Sequence, residues 1–342
     1  MGIKIILLII FFAVMAAVGI YSRRHVTSVD GFVLGGRSVG PWLTAFAYGT
    51  SYFSAVVFVG YAGQFGWKYG IASTWIGIGN ALIGSLLAWV VLGRRTKVMT
   101  QHLGSRTMPD FFGERYKSKS LKITASVIVF VFLIPYTASV YNGLSRLFAM
   151  AFNIPYTWCV VTMAAFTALY VILGGYMATA INDFIQGIIM LIGIVAVIAA
   201  VLNGQGGFMN AIAEMAKIPS DVPLTQGQPG AFTSFFGPDP VNLLGVVLLT
   251  SLGTWGLPQM IGKFYAIKDE KSISTGTIIS TIFAIIISGG CYFLGGFGRL
   301  FDSPEIYDKA GGAVVYDSII PHMLSMLPDL LIGVVVVLVL SA

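Results

Sequence analysis

The sequence predicts an all-α integral membrane protein that crosses the bilayer many times. Of its 342 residues, 56% are hydrophobic and only 10% are charged, with a mean hydropathy of +0.86. Ordinary soluble domains carry about 25% charged residues. So little polar surface cannot coat a water-soluble globule, which excludes a soluble enzyme, a disordered chain and a secreted disulfide scaffold. Apolar runs near the ~20 residues that a spanning helix needs recur along the whole chain. The basic residues crowd into alternate connections between those runs. The net charge of +6 therefore describes sidedness and gives no reason to expect nucleic acid. Cys159 and Cys291 both lie in apolar runs, so no disulfide framework follows.

Eight full spans are expected: Ile5–Tyr21, Trp42–Phe65, Ile71–Leu92, Ile123–Phe152, Thr157–Gly174, Ile181–Leu202, Val241–Tyr265 and Ile278–Gly296. A ninth begins near Leu327 and is still apolar at Ala342, so the chain is read as incomplete, stopping inside that span. The first run is longer than a signal-peptide core of about 7–15 residues, and Arg23-Arg24 follows it directly. It reads as a retained helix. Fourteen of the 20 Lys and Arg residues fall in the connections around Arg23–Arg37, Arg94–Lys122 and Lys263–Lys271, and five in the opposite set. That bias predicts an N-terminus outside and the 94–122 loop in the cytoplasm of a multi-pass cell (plasma) membrane protein. Trp42 and Trp89 fall near inner ends and Trp67 and Trp158 near outer ends, as an aromatic belt would; Trp255 lies mid-span. Between spans six and seven, Phe208–Ile218 has helical spacing and is expected to lie at the interface.

Two spans are rich in helix breakers. The second carries Gly49-Thr50-Ser51-Tyr52-Phe53-Ser54, and the seventh Thr250-Ser251-Leu252-Gly253-Thr254-Trp255-Gly256-Leu257-Pro258. In lipid an interrupted helix is tolerated only inside protein or beside a water-filled cavity. Small residues also serve close helix packing. Yet these two segments stand five spans apart and cross in opposite directions, and each opens a five-helix unit. That pairing is the signature of an inverted-repeat transporter with its site at mid-bilayer.

Ionisable residues inside spans are few. Arg146 stands towards the outer end of span four, where snorkelling to the interface would explain it. Asp183 opens span six, with Gln186 three residues on, and reads equally as an N-cap or as an ion ligand. Tyr136 follows Pro135, where proline removes a backbone bond and a phenol can serve a ligand or fill space. The histidines 25, 102 and 322 cluster with no Cys or carboxylate, and no HExxH, Walker A or TVGYG segment is present. Metalloprotease, ATP-driven pump and potassium-filter chemistry are thus unsupported, and no enzyme is expected.

Several motifs, taken in order, resemble the sodium/solute symporters, the group of bacterial proline and pantothenate permeases and sodium/glucose transporters. They are the 31–40 segment GFVLGGRSVG, the 107–116 segment TMPDFFGERY, the 170–178 segment YVILGGYMA, the 182–187 segment NDFIQG, Gly256-Leu257-Pro258, and the 263–269 segment KFYAIKD. Each motif is weak alone; their order along nearly the whole chain carries the resemblance. It implies a LeuT-type 5+5 inverted repeat, with residues 1–22 as an extra N-terminal helix, 40–203 as the first repeat and 241–342 as the start of the second. The whole of 1–342 is then one transporter domain.

By the same resemblance a sodium ion is held by the backbone carbonyls of Thr50, Phe53 and Ala342, and Asp183 is tied to sodium coupling. Tyr52, Ser54, Tyr136, Thr250 and Trp255 fall where the family lines its solute pocket. Tyr52 replaces the Asp of proline permeases and Thr250 their Trp, which sets this pocket apart from theirs. The implied activity is sodium-driven symport of a small organic solute, such as an amino acid or a pantothenate-like acid, with sodium as the coupling ion and no other cofactor. A transporter-fold sensor or scaffold that binds without transporting is the alternative; a long signalling domain after the last helix would mark it.

Overall fold

Ser, Thr and Asp side chains start the helices here, and Gly and Pro turn or break them. The structure, a computed structural model, describes residues 2–23, 28–152, 154–308 and 312–340. Among the described residues the regular structure is helical, apart from two isolated β-bridges. In order, α1 is Gly2–Ser22, α2 Val29–Leu34, α3 Pro41–Tyr52, α4 residues 56–69, α5 residues 70–102, α6 Met108–Tyr116 and α7 Lys119–Phe152. Then come α8 (156–174), α9 (176–204), α10 Phe208–Lys217, α11 Pro240–Leu252, α12 Pro258–Ala266, α13 Glu270–Gly295, α14 Tyr316–Ser325 and α15 Asp329–Leu340. Side chains of Ser28, Thr107, Asp239 and Asp269 accept the N–H three residues on and cap α2, α6, α11 and α13. Among the described residues five helical stretches, or six if the bent α11–α12 pair is counted as one, are long and apolar enough to cross a membrane by length and composition.

Helix α13 occupies the centre and packs on α3, α4, α5 and α9. Glycine makes this possible. A Cβ on Gly66 of α4 would run into the Gly295 carbonyl of α13, and one on Gly295 into the Ala62 carbonyl. The two backbones touch, as small-residue seams allow. A polar ladder joins α5 to α13 as well: the Ser85 and Ser280 hydroxyls are 2.9 Å apart, and the Asn80 amide donates to Ser288 at 3.4 Å.

The chain turns from α8 to α9 on one residue, Gly175, at φ 56° and ψ −151°. A side chain there would meet Phe32 at 2.9 Å, and only glycine enters that region of backbone space freely. Helix α9 therefore starts at Tyr176, five residues before the expected Ile181. Asp183 and Gln186 lie inside it, so the capping-box reading of Asp183 is corrected.

Charged residues gather at the two ends of the bundle. At one end Arg106 pairs with Asp30 at 2.6 Å and Arg94 with Glu270 at 2.5 Å. There Val39 also accepts the Lys268 N–H at 2.9 Å and donates to the Ala266 carbonyl at 3.3 Å. The Arg37 guanidinium ties this strap to the Ser105 carbonyl at 2.6 Å. At the other end Lys4 pairs with Asp329 at 2.9 Å, and Arg299 pairs with Asp221 at 2.7 Å between the Trp67 and Phe232 rings. Arg146 lies 3.9 Å from Asp317 of α14, so a protein carboxylate faces it. The expected α10 is present, and Ala211 and Met215 pack on Phe232 and Phe297 of the protein itself.

Candidate functional site

Both breaker-rich segments are interrupted. Helix α3 ends at Tyr52, Phe53 takes φ −102° and ψ 64°, and helical structure resumes at Ala55. The Phe53 N–H reaches back to Gly49, while Val57 and Phe58 both donate to the Ser54 carbonyl. Among the described residues no backbone N–H donates to the carbonyls of Thr50, Ser51, Tyr52 or Phe53. Such freed oxygens in an apolar protein need a partner, and a hard cation takes oxygen ligands. In the other segment α11 passes through a tight turn at Gly253–Gly256, and Leu257 is extended at φ −74° and ψ 124°. Helix α12 then leaves at 51° to α11.

The two breaks meet. They border one cavity of about 280 Å³, lined by Tyr52 and Ser54 from the first and by Thr250, Gly253, Thr254 and Leu257 from the second. Helix α7 contributes Tyr136 and Ser139, and α5 contributes Asn80. The Tyr52 phenol donates to the Thr250 carbonyl at 3.1 Å and so joins one break to the other. Its ring end is fitted against Gly84, where a Cβ would collide with the hydroxyl. Tyr52 and Ser54 are 7% and 5% exposed, so polar groups of a ligand here would be largely stripped of water and would need protein partners.

The structure brings Tyr52, Ser54, Tyr136 and Thr250 together. Trp255 is not among the residues lining this cavity; its indole N–H donates to the Ile83 carbonyl at 3.0 Å, and the ring fastens the turn to α5. Thr50 is buried in the last turn of α3, its hydroxyl donating to the Phe46 carbonyl at 3.0 Å and lying beside the Asp183 carboxylate. The Asp183 carboxylate also meets the Lys263 ammonium of α12 at 3.4 Å. Ala342 lies outside the described residues.

Sequence reasoning missed Asn80. Its side-chain oxygen accepts from Thr250 at 2.9 Å and from Ser251 at 3.1 Å, so one amide braces the end of α11. The available signal was a lone Asn in the middle of the apolar run 71–92, since buried amides in spans commonly join helices. Tyr292 of α13, which also lines the cavity, was missed because a phenol in an aromatic-rich run carries no distinguishing mark.

The family model described as "Sodium:solute symporter family" matches residues 32–342. The chain belongs to the sodium:solute symporter family. Among curated members, the sodium/proline symporters of Staphylococcus aureus strains JH9 and N315 are each 33% identical to it over 276 residues, 78% of this chain and 51% of theirs. It thus spans about half the length of these relatives. Its fold is similar to the solved substrate-bound, outward-open state of a Na+-coupled sialic acid symporter, with a TM-score of 0.76 at 16% identity over 99% of this chain and 70% of that one. In this symporter-family chain the two helix interruptions border the same cavity.

Proposed function

We propose that the full-length protein is a sodium-driven symporter that moves a small organic solute into the cell by alternating access. The observation that carries this is the meeting of two interrupted helices, at Phe53–Ser54 and Gly253–Leu257, on one polar-edged cavity. In this reading α3 to α9 form the first five-helix repeat of a LeuT-type fold, α11 opens the second, and α1 is the extra leading helix. The Thr50 and Phe53 carbonyls hold sodium together with Ala342, and Asp183 belongs to the coupling machinery. Tyr52, Ser54, Tyr136 and Thr250 line the solute, while Trp255 braces the turn beside it. The relatives named for proline point to an amino acid or a similarly small carboxylate. Sodium entry supplies about 2.3 kcal/mol per charge per 100 mV, enough to drive accumulation.

The full-length protein, purified in detergent, should show a melting-temperature rise with one member of a panel of small amino and carboxylic acids, proline included, in sodium buffer only. Equal stabilisation in potassium would remove sodium coupling from this reading.

The orientation places the Arg37–Arg106 end in the cytoplasm and Asp221 and Asp329 outside. Lys119→Cys should react with a membrane-impermeant thiol reagent only in inside-out vesicles, and Gln226→Cys only in intact cells. The opposite pattern would invert the topology.

A further inference from the structure

Two positive charges stand close together at the Arg37–Arg106 end of the bundle. Lys97, near the end of α5, is 1% exposed, and its ammonium has no hydrogen-bond partner. It lies within electrostatic reach of the half-buried Arg37. The Arg37 guanidinium donates to the carbonyls of Tyr265 at 3.5 Å, Thr100 at 3.4 Å and Ser105 at 2.6 Å. None of these partners carries a charge. Arg37 also takes φ 56°, which is uncommon outside glycine, so the strap accepts backbone strain to hold this side chain in place.

The nearby acids are engaged elsewhere. Asp269, the carboxylate whose charge reaches Lys97, caps α13 by accepting the Ser272 N–H at 2.8 Å. Asp30, whose charge reaches Arg37, pairs with Arg106 at 2.6 Å. Among the described residues neither Lys97 nor Arg37 forms an ion pair. A buried charge left uncompensated is strongly destabilising. A water molecule would accept one hydrogen bond and leave the charge unmet. Ser105 is also fully buried, with its hydroxyl unpartnered, although its carbonyl holds Arg37. The Thr100 hydroxyl is already committed, donating to the Thr96 carbonyl at 2.8 Å. The idle ammonium and the idle hydroxyl can both donate, and an anion accepts from both.

We propose that Lys97, Ser105 and Arg37 bind a small inorganic anion, with chloride as the ligand. Lys97 and Ser105 supply direct donors, and Arg37 supplies the second positive charge. The near-complete burial of Lys97 and Ser105 leaves room for a dehydrated single atom rather than a lipid headgroup. A halide accepts hydrogen bonds from any direction, so donors on separate elements suit it. The anion would join the end of α5 to the strap before α3, which pairs with the α12–α13 connection through Val39 and Ile267. Its release would leave two like charges facing each other, so its binding holds this end of the bundle together.

The test is thermal unfolding of the purified full-length protein in sodium gluconate, with chloride replacing gluconate at constant sodium and ionic strength. Wild type should show a saturable rise in melting temperature of a few degrees with chloride. Bromide should reproduce the rise, and phosphate should not. Lys97→Met should lose it. Lys271→Met, which removes an exposed lysine from the start of α13, should keep it. No chloride response in wild type overturns the proposal; a carboxylate facing Lys97 from elsewhere in the full-length chain would give that result. An undiminished response in Lys97→Met overturns it too, as does a response to phosphate alone. Equal loss in Lys271→Met would mark a general surface-charge effect and also count against the site. If Lys97→Met is not recovered folded, Ser105→Ala decides. Its chloride midpoint should rise by about tenfold, since one hydrogen bond to a charged group is lost, and an unchanged midpoint overturns the site. Sodium is constant throughout, so these outcomes are independent of the sodium-coupling reading.

Discussion

Gly66→Val in α4 is expected to abolish recovery of folded protein from the membrane. A Cβ at this position would strike the Gly295 carbonyl and its neighbouring backbone atoms, and the reverse substitution Gly295→Val would strike the backbone of Ala62. Overpacking costs about 1–3 kcal/mol where side chains can shift. Here the obstruction is backbone on both sides, so α4 and α13 must separate along their shared seam. That separation also pulls apart the packing of α13 on α3 and α5, which positions the first break. Proteins are stable by only about 5–15 kcal/mol, so such a loss is not absorbed. Gly245→Ala in α11 is the control, because a Cβ there meets nothing within 4 Å. Fluorescence-detected size exclusion of the tagged full-length protein should show a monodisperse peak for Gly245→Ala and loss of that peak for Gly66→Val. A normal peak for Gly66→Val would mean that the two helices do not lie backbone to backbone.

The second large effect is expected at Thr50. Proline there removes the N–H that holds the last turn of α3, and its ring crowds the Phe46 carbonyl, at a cost of about 3 kcal/mol in a helix interior. The Phe46 carbonyl already receives the Thr50 hydroxyl at 3.0 Å, so this turn has no slack. The carbonyls of Thr50 through Phe53, which accept no backbone bond among the described residues, would be re-aimed together. Sodium-dependent thermal stabilisation of the full-length protein should vanish in Thr50→Pro. Thr50→Ala keeps every carbonyl and loses one hydroxyl bond, worth about 1 kcal/mol, so apparent sodium affinity should fall by about tenfold or less. A Thr50→Pro protein that keeps the wild-type sodium response would show that these oxygens do not bind the ion.

Much of this architecture was legible in the residues. Each expected span falls on one helix or, for Trp42–Phe65 and Val241–Tyr265, on two helices either side of a break, because apolar length and breaker position are local properties of the chain. The interruptions at Phe53–Ser54 and Gly253–Leu257 were legible for the same reason: Gly, Ser, Thr and Pro cluster there in otherwise apolar spans. Side-chain direction at a break was not. Trp255 leaves a tight turn rather than a regular helix, and helical spacing cannot foresee its bond to Ile83. The start of α9 was misplaced because a single residue, Gly175, turns the chain, and a longer connection had been expected. The contact of Asp183 with Lys263 joins residues 80 apart in sequence on separate helices, and nothing in local pattern announces it.

Whether the two broken helices build a sodium-coupled transport site is tested most directly by solute accumulation in proteoliposomes of the full-length protein, loaded with potassium and diluted into sodium or potassium buffer. With the solute that stabilises the protein, the internal concentration should rise above the external one only under an inward sodium gradient, and should fall back when a sodium ionophore dissipates it. Thr50→Pro should remove the accumulation. Equal, merely equilibrating uptake in both buffers would contradict the account.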